Sequence, residues 1–179
     1  MMIKSGTSVI LLTTLIACVF FASCSKNTTQ SQEQPHQRET TGHLDHAQPK
    51  LPQIKLWLKD KEILAEVATT PEQLMTGMMF RKEIGENEGM LFVFQYPHRA
   101  SFYMKNTYVP LSIAYINPEG VIMEIYDLEP LNEKSVTATN DNIQFALEVK
   151  QGWFKKNNIT PGTVIKTPRG SLLQTFFNK

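Results

Sequence analysis

The chain has 179 residues, of which 41% are hydrophobic and 20% are charged, with 18 basic and 17 acidic side chains. Cleavage of the chain before Cys24 would remove Lys4 and leave 17 basic against 17 acidic residues. Nucleic-acid-binding proteins usually carry a basic excess, so this balance argues against that class. Both cysteines, Cys18 and Cys24, lie near the N-terminus, so the rest of the chain has no thiol chemistry and no internal disulfide.

The N-terminus has the features of a bacterial secretory signal. A short basic stretch, 1–4, precedes an apolar stretch, 8–22, which is shorter than a bilayer crossing prefers. Small residues then lead into Cys24, after which the chain turns polar, as in a lipoprotein precursor. Cys18 is an alternative lipidation site, but the apolar residues after it argue against cleavage there, and an uncleaved anchor is a further alternative. We therefore predict a signal peptide over 1–23, a lipid on Cys24, and a lipid-anchored place in the bacterial cell envelope.

Residues 24–52 are predicted to form a disordered tether. The segment is rich in Gln, Thr, Ser, Glu and His and has few large apolar groups, so burial cannot offset its ordering entropy. His36, His43, His46 and Asp45 could hold a metal weakly. A solvated linker is favoured because no helix or cysteine joins these residues.

The folded part is predicted over 53–177, as one domain. Alternating apolar residues predict strands over 54–58 and 63–68, with a turn between them. Thr70, Pro71 and Gln73 form a capping-box sequence for a short helix that Gly77 can end.

Strands are also predicted over 91–96 and 102–105, and a hairpin joins 111–116 to 121–126 across the turn Asn117–Gly120. A long polar loop, 128–142, follows. Apolar residues at 143, 145, 147 and 149 then alternate with Gln144, Ala146 and Glu148, which predicts a half-buried strand. A helical turn over 151–157 and a strand over 163–166 complete the set. About eight short strands and one helix predict a mainly β domain, an antiparallel sandwich or barrel-like sheet.

Several motifs resemble those of DUF192 (also UPF0127), a family of small bacterial and archaeal domains without an established activity. The resemblance covers nearly all of the folded part and rests on Ala68-Thr69-Thr70-Pro71-Glu72-Gln73, Gly77-Met78-Met79-Phe80-Arg81, Gly89-Met90-Leu91-Phe92, Met104-Lys105-Asn106-Thr107, Pro110-Leu111, Ala146-Leu147-Glu148 and Gly152. It implies a compact, mainly β fold. Ser112 stands where the family often has Asp, and Tyr103 where Trp is frequent.

The polar members of these motifs are the candidate ligand-binding residues: Arg81, Lys105, Asn106, Thr107 and Glu148. Lys105 and Asn106 follow an aromatic run and could line the mouth of an apolar cleft, where such donors would suit an anion or a sugar. The structural alternative is that Arg81 pairs with Glu148, Lys105 lies along apolar surface and Asn106 ties a turn.

Two other functions deserve comparison with a binding module. Met75, Met78, Met79, Met90 and Met104 could bind Cu(I) through thioethers, although methionine is also a flexible core filler and core packing is favoured. Glu148 and Lys105 could act as acid and base on an envelope substrate, but no catalytic constellation is recognisable, and His98 is the only histidine of the folded part. The sequence favours an exported, lipid-anchored binding or interaction module with an envelope ligand or protein as partner, and no metal, cofactor or nucleic acid.

Overall fold

The computed structural model describes residues 42–177. The predicted signal peptide and the lipidation site at Cys24 therefore lie outside the described residues. Within them the fold is mainly β, as predicted. Its elements are β1 Gln53–Leu58, β2 Lys61–Ala68, α1 Pro71–Thr76, β3 Glu88–His98, β4 Ser101–Phe102, β5 Leu111–Ile116, β6 Ile122–Leu128, β7 Val136–Thr137, β8 Ile143–Lys150, α2 Trp153–Lys156, β9 Ile165–Thr167, β10 Gly170–Ser171 and α3 Leu172–Phe176.

Eight strands form one sheet in the order β10-β9-β1-β2-β3-β8-β5-β6, and β4 pairs with β7 in a separate small sheet. The large sheet is mixed because β2 and β3 are parallel, whereas the prediction was antiparallel throughout. An isolated bridge between Val121 and Val164 brings the start of β6 to the start of β9. Backbone hydrogen bonds from Ile122 to Thr163, from Gly162 to Ile122 and from Ile165 to Gly120 join the same two segments. Within residues 42–177, the predicted barrel-like character consists of this contact, and the strands do not form a closed barrel.

Local sequence signals place α1 and the main hairpin. The Thr70 hydroxyl accepts a hydrogen bond from the Gln73 amide at 3.3 Å, and the Gln73 side chain accepts one from the Thr70 amide at 3.2 Å. This confirms the predicted capping box. Gly77 ends the helix at a φ of 48°, which only glycine adopts easily. The Gly120 amide donates to the Asn117 carbonyl at 3.0 Å and closes the predicted turn.

The large sheet separates two apolar cores. Leu91, Phe145 and Leu147 point to the first core, which α2 and α3 cover with Trp153, Phe154 and Leu172. Met90, Phe92 and Ala146 point to the opposite face and the second core. That face is covered by α1, the chain after it, and the segments around β4 and β7, which supply Leu74, Met78, Met104, Phe102 and Val136.

Strand β8 lies between β3 and β5, and its two faces point into the two cores, with Phe145 on one side and Ala146 on the other. Gln144 and Glu148 are 6% and 4% exposed, which corrects the prediction of a half-buried strand. The alternation in β8 is real, but it separates two cores rather than a core from solvent.

Three further segments differ from the predictions. The predicted strand 102–105 ends at Phe102, and Lys105 and Asn106 form a turn. The polar loop 128–142 contains β7, which pairs with β4. Part of the predicted tether contacts the domain: the Gln48 side chain, 5% exposed, donates to the Gly77 carbonyl at 2.8 Å, so contacts with the fold begin before residue 53.

Candidate functional site

A cleft of about 320 Å³ opens over the second face of the sheet. Its wall consists of α1 and the residues that follow it, the outer half of β3, the β4 segment and one residue of β8. Most lining side chains are apolar, aromatic or sulfur-containing: Leu74, Met75, Met78, Met79, Phe92, Phe94, Phe102 and Tyr103. The remaining lining residues are His43, Thr76, Gly77, His98, Ser101, Thr107 and Glu148. We refer to this site as the Glu148 cleft.

Glu148 reaches the cleft from the middle of the sheet. It lies on β8 between Met90 of β3 and Ile113 of β5, and it shares a face with Ala146 of the second core. The side chain is buried, and its Oε2 atom has no hydrogen-bond partner within residues 42–177. Burial raises the pKa of this carboxyl to about 8, because the charged form is poorly solvated there.

Tyr115 lies near this carboxyl. It is fully buried on β5, opposite Ala146, and its hydroxyl donates to the Val136 carbonyl at 2.5 Å. Burial is the main cause that raises the pKa of Tyr115, and the charge of Glu148 adds to it. The tyrosine hydroxyl is therefore used in a structural bond to β7 and does not satisfy the Glu148 carboxyl.

Aromatic rings form one wall of the Glu148 cleft. Phe92 and Phe102 meet edge to face with centroids 4.9 Å apart, and Phe94 packs against the His98 ring at 4.6 Å. Phe94 also lies 6.4 Å from Phe102. Because neighbouring rings are nearly perpendicular, they present both faces and edges to their surroundings. Tyr103 is 41% exposed, which keeps this wall open to solvent.

The structure brings together two of the five predicted site residues. Thr107 and Glu148 both line the cleft, whereas Arg81, Lys105 and Asn106 do not. Thr107 is buried, and its hydroxyl donates to the Lys105 carbonyl at 3.2 Å, which fixes the turn before it. Asn106 adopts a left-handed φ of 54°, and its carbonyl accepts from the Phe80 amide at 2.7 Å. Asn106 thus ties the turn to the chain that carries Met78 and Met79.

Arg81 pairs with Glu66 of β2, not with Glu148 as the structural alternative proposed. Its two terminal nitrogens donate to the two Glu66 oxygens at 3.1 and 2.9 Å, and the side chains are 14% and 10% exposed. Glu66 also accepts from the Leu51 amide at 2.8 Å. This bidentate pair fastens the chain before β1 and the chain after α1 to the sheet.

The methionines divide into two groups. Met75, Met78 and Met79 line the Glu148 cleft, and Met75 is 47% exposed at its mouth. Met90 and Met104 do not line the cleft and are buried in the second core, to which Met78 also belongs. Within residues 42–177, no three His, Cys, Asp or Glu side chains are grouped so that they could hold a metal ion.

Ser112, at the position where the family often has Asp, is buried in β5. Its hydroxyl donates to Asp127 Oδ1 of β6 at 2.5 Å and accepts from the Gly152 amide at 2.8 Å. The residue therefore joins β5, β6 and the start of α2, away from the Glu148 cleft.

Comparison with known proteins agrees with the fold. Residues 54–167, more than half of the chain, match the family DUF192, described as an uncharacterized ACR. The chain belongs to the DUF192 family. No curated protein matches it.

Two solved structures resemble this DUF192 chain. One, from Sinorhizobium meliloti 1021, is described as a putative transcription regulator, with 25% identity, a TM-score of 0.65, and coverage of 68% of this chain and 98% of that one. The other is a protein of unknown function from Novosphingobium aromaticivorans DSM 12444, with 27% identity, a TM-score of 0.59, and coverage of 67% and 93%. In the part of this chain that the structure describes, no helix is long and apolar enough to cross a membrane.

Sequence reasoning missed most of the cleft wall in this DUF192 domain. Phe92 and Phe94 belong to the predicted strand 91–96, and Phe92 also to a family motif, but neither is predicted to line a site. Their spacing of two residues nevertheless places both rings on one face. The same rule connects them to Glu148, because Phe92 pairs with Ala146, two residues before Glu148 on β8. That signal was present in the sequence but needed the β3–β8 register to be interpreted.

Proposed function

We propose that this protein is a binding module of the bacterial cell envelope, anchored by a lipid on Cys24, and that it binds a small ligand in the Glu148 cleft. One observation carries the proposal: a buried carboxyl without a hydrogen-bond partner lines an open, largely apolar cleft. Buried polar groups in folded proteins are nearly always hydrogen-bonded, and leaving one unsatisfied costs free energy. A ligand with a complementary polar group would remove that cost, which makes Glu148 a natural recognition point.

The rest of the cleft suits the same role. Ligand sites are usually concave and mainly apolar, with a few polar groups that fix orientation. Flexible methionines in the wall, Met75 at the mouth and the buried Met78 deeper inside, adapt to differently shaped apolar groups.

The envelope location rests on the N-terminal sequence, with the signal peptide over 1–23 and the membrane reached through the lipid. The description of the S. meliloti protein as a regulator would suggest a nucleic-acid partner. The near-equal numbers of basic and acidic residues in this chain and its export signal favour an envelope partner instead.

A fragment screen tests the binding role. Thermal-shift measurements on the full-length chain would use small aromatic amines, alcohols, amides and acids. Met75→Trp should fill the cleft mouth and abolish the shifts without changing the melting temperature, since Met75 is half-exposed. Val164→Trp, at a similarly exposed position away from the cleft, serves as the matched control. Fragments that bind both variants equally, or no binding from any class, would refute the proposal.

Labelling with a radioactive fatty acid tests the anchor. Cys24→Ala should abolish label and maturation, and Cys18→Ala should leave both nearly intact. Unchanged labelling of the Cys24→Ala protein would refute this assignment and move it to Cys18.

An enzyme acting on an envelope substrate is the second candidate, because a carboxyl with a pKa near 8 in a cleft suits general acid–base work. The partner group in the cleft would be His98 rather than the predicted Lys105. In this case Glu148→Gln should abolish turnover of a bound fragment while its binding persists. If bound fragments are recovered unchanged after long incubation, the protein is not an enzyme for those fragments.

A further inference from the structure

We propose that the Glu148 cleft recognises an organic ammonium group, an amine or quaternary nitrogen carried on an apolar or aromatic body. This inference rests on the proposed function and names the chemical class of its ligand. It combines the charge of the cleft, its aromatic wall and the position of the unpartnered carboxyl.

The charge pattern favours a cation. Glu148 is the only Asp or Glu among the described residues that line the cleft, and none of the lining residues is Lys or Arg. The Oε2 atom therefore lacks both a hydrogen bond and a counter-charge from the cleft wall. An opposite charge close to a buried carboxylate strongly favours its ionised form. A ligand ammonium would supply that charge.

The wall suits the remainder of such a ligand. Aromatic faces attract ammonium groups through their ring quadrupoles, most strongly where water is excluded. Phe92 is 1% exposed and meets Phe102 edge to face, so this part of the wall is shielded from bulk solvent. Phe94 continues the wall toward the mouth. The thioethers of Met78 and Met79 add polarisable, uncharged surface to the wall. Such a surface can pack against the methyl groups of a quaternary nitrogen.

Other ligand classes fit less well. A carboxylate or phosphate would meet Glu148 without any arginine or lysine to balance it. A sugar needs many directed hydrogen bonds, whereas the cleft offers few free polar groups, since Thr107 donates to a backbone carbonyl. Divalent metal ions need several hard ligands, and no three-residue His, Cys, Asp or Glu group exists within residues 42–177.

The binding of a cation should depend on pH in a defined direction. Without ligand the Glu148 pKa is about 8, so the carboxyl is mostly protonated at pH 7. A bound ammonium favours the ionised form, so binding releases a proton and strengthens as pH rises toward 9. Three other titratable side chains line the cleft, His43, His98 and Tyr103, and Tyr115 lies beside Glu148. The surrounding elements also carry four titratable side chains that do not line the cleft: Glu72 on α1, Glu88 and Tyr96 on β3, and Lys150 on β8.

Isothermal titration calorimetry on the purified full-length chain tests this inference. The probes are benzyltrimethylammonium, whose charge is independent of pH, benzyl alcohol as a neutral match, and phenylacetate as an anionic match. We expect the ammonium to bind most tightly and its dissociation constant to fall roughly tenfold between about pH 7 and pH 9. At pH 7 the heat should vary with the ionisation enthalpy of the buffer, because a proton is released.

Glu148→Gln keeps the shape of the side chain and removes its charge. At about pH 9 this variant should bind benzyltrimethylammonium at least tenfold more weakly, and its affinity should no longer change with pH. Glu83→Gln, at an exposed position outside the cleft, should behave like the unmodified chain. In the His98→Gln variant the affinity should still rise with pH, because ionisation of Glu148 causes this rise.

The outcomes separate this inference from the proposed function. If benzyl alcohol binds more tightly than the ammonium, or affinity falls as pH rises, the cleft recognises a hydrogen-bond acceptor through a protonated Glu148. The ammonium inference is then wrong while the binding role stands. If neither the three probes nor any fragment binds, both proposals fail. Ammonium binding that survives unchanged in Glu148→Gln would also overturn the inference, because the aromatic wall alone would account for it.

Discussion

Glu148 should make the stability of the protein depend on pH in a way that Glu148→Gln removes. The carboxyl has an ordinary pKa of 4.5 and a folded-state pKa of about 8. Below about pH 4.5 the carboxyl is protonated in both the folded and the unfolded chain, so it does not change the free energy of unfolding with pH. As pH rises to about 8, the unfolded chain loses this proton while the folded chain keeps it, so the free energy of unfolding falls. Above about pH 8 both states are ionised and the loss is complete.

The magnitude follows from the shift of the pKa. Each unit corresponds to about 1.4 kcal/mol, so the full window costs the folded state at most about 5 kcal/mol. That is a large share of the stability of an ordinary domain. Gln does not titrate, so the Glu148→Gln variant should not lose this stability. The difference between its free energy of unfolding and that of the unmodified chain should therefore rise by a similar amount between about pH 4.5 and 8.5.

Urea titrations at several pH values across this window measure the difference directly, since contributions of all other groups cancel. Glu83→Gln is the control: Glu83 is exposed, so this variant should have the same free energy of unfolding as the unmodified chain at every pH. A constant difference between Glu148→Gln and the unmodified chain would refute the reasoning. It would mean that Glu148 already has a partner that keeps its pKa near the ordinary value.

In urea titrations, Arg81→Met should lower the free energy of unfolding by about 3–5 kcal/mol, because it leaves Glu66 buried without its bidentate partner. Arg81→Lys should restore only part of that free energy. An unchanged urea midpoint for Arg81→Met would show that solvent can solvate Glu66 as well as Arg81 does. Phe145→Ala should cost about 3–5 kcal/mol by the same measurement, since this ring is fully buried in the first core. Gln144→Ala should cost about 1–2 kcal/mol, because its buried amide faces the second core, whereas a loss below about 0.5 kcal/mol would indicate a solvent-facing side chain.

Local chemistry made part of the fold predictable. The capping box of Thr70 and Gln73 and the turn at Gly120 depend on neighbours within a few residues, and both are present as predicted. The family motifs implied a mainly β fold, and that too is confirmed. Such features can be read from a short window of sequence because the interacting groups are close along the chain.

Contacts between distant segments explain what sequence reasoning missed. In β8, Gln144 and Glu148 have the polarity of a solvent face, but the β4 and β7 segments cover them. The structural alternative paired Arg81 with Glu148, yet Glu66 from the β1–β2 hairpin is its partner. Glu66 was predicted to lie on a strand without any special role. Both errors arise because burial of a polar residue depends on which segment folds over it.

Gly89 connects the family motif with the position of Glu148. Gly89 pairs with Val149 across β3 and β8, and a methyl group built on it would lie 2.6 Å from the Glu148 carbonyl. Backbone at that distance has to move, so glycine permits β3 to approach the strand that carries the buried carboxyl. Gly89→Ala should therefore cost about 1–3 kcal/mol and also displace Glu148 within the cleft.

A ligand that contacts Glu148 should then bind the Gly89→Ala variant more weakly, even at temperatures where the variant is fully folded. Gly85→Ala is the matched control, because the nearest atoms there belong to the flexible end of the Glu88 side chain, 2.9 Å away, which can rotate aside. Circular dichroism melts combined with calorimetry would separate the two effects. Normal stability and binding in Gly89→Ala would show that β3 and β8 can separate without moving the carboxyl. The close approach at Gly89 would then have no part in positioning the site.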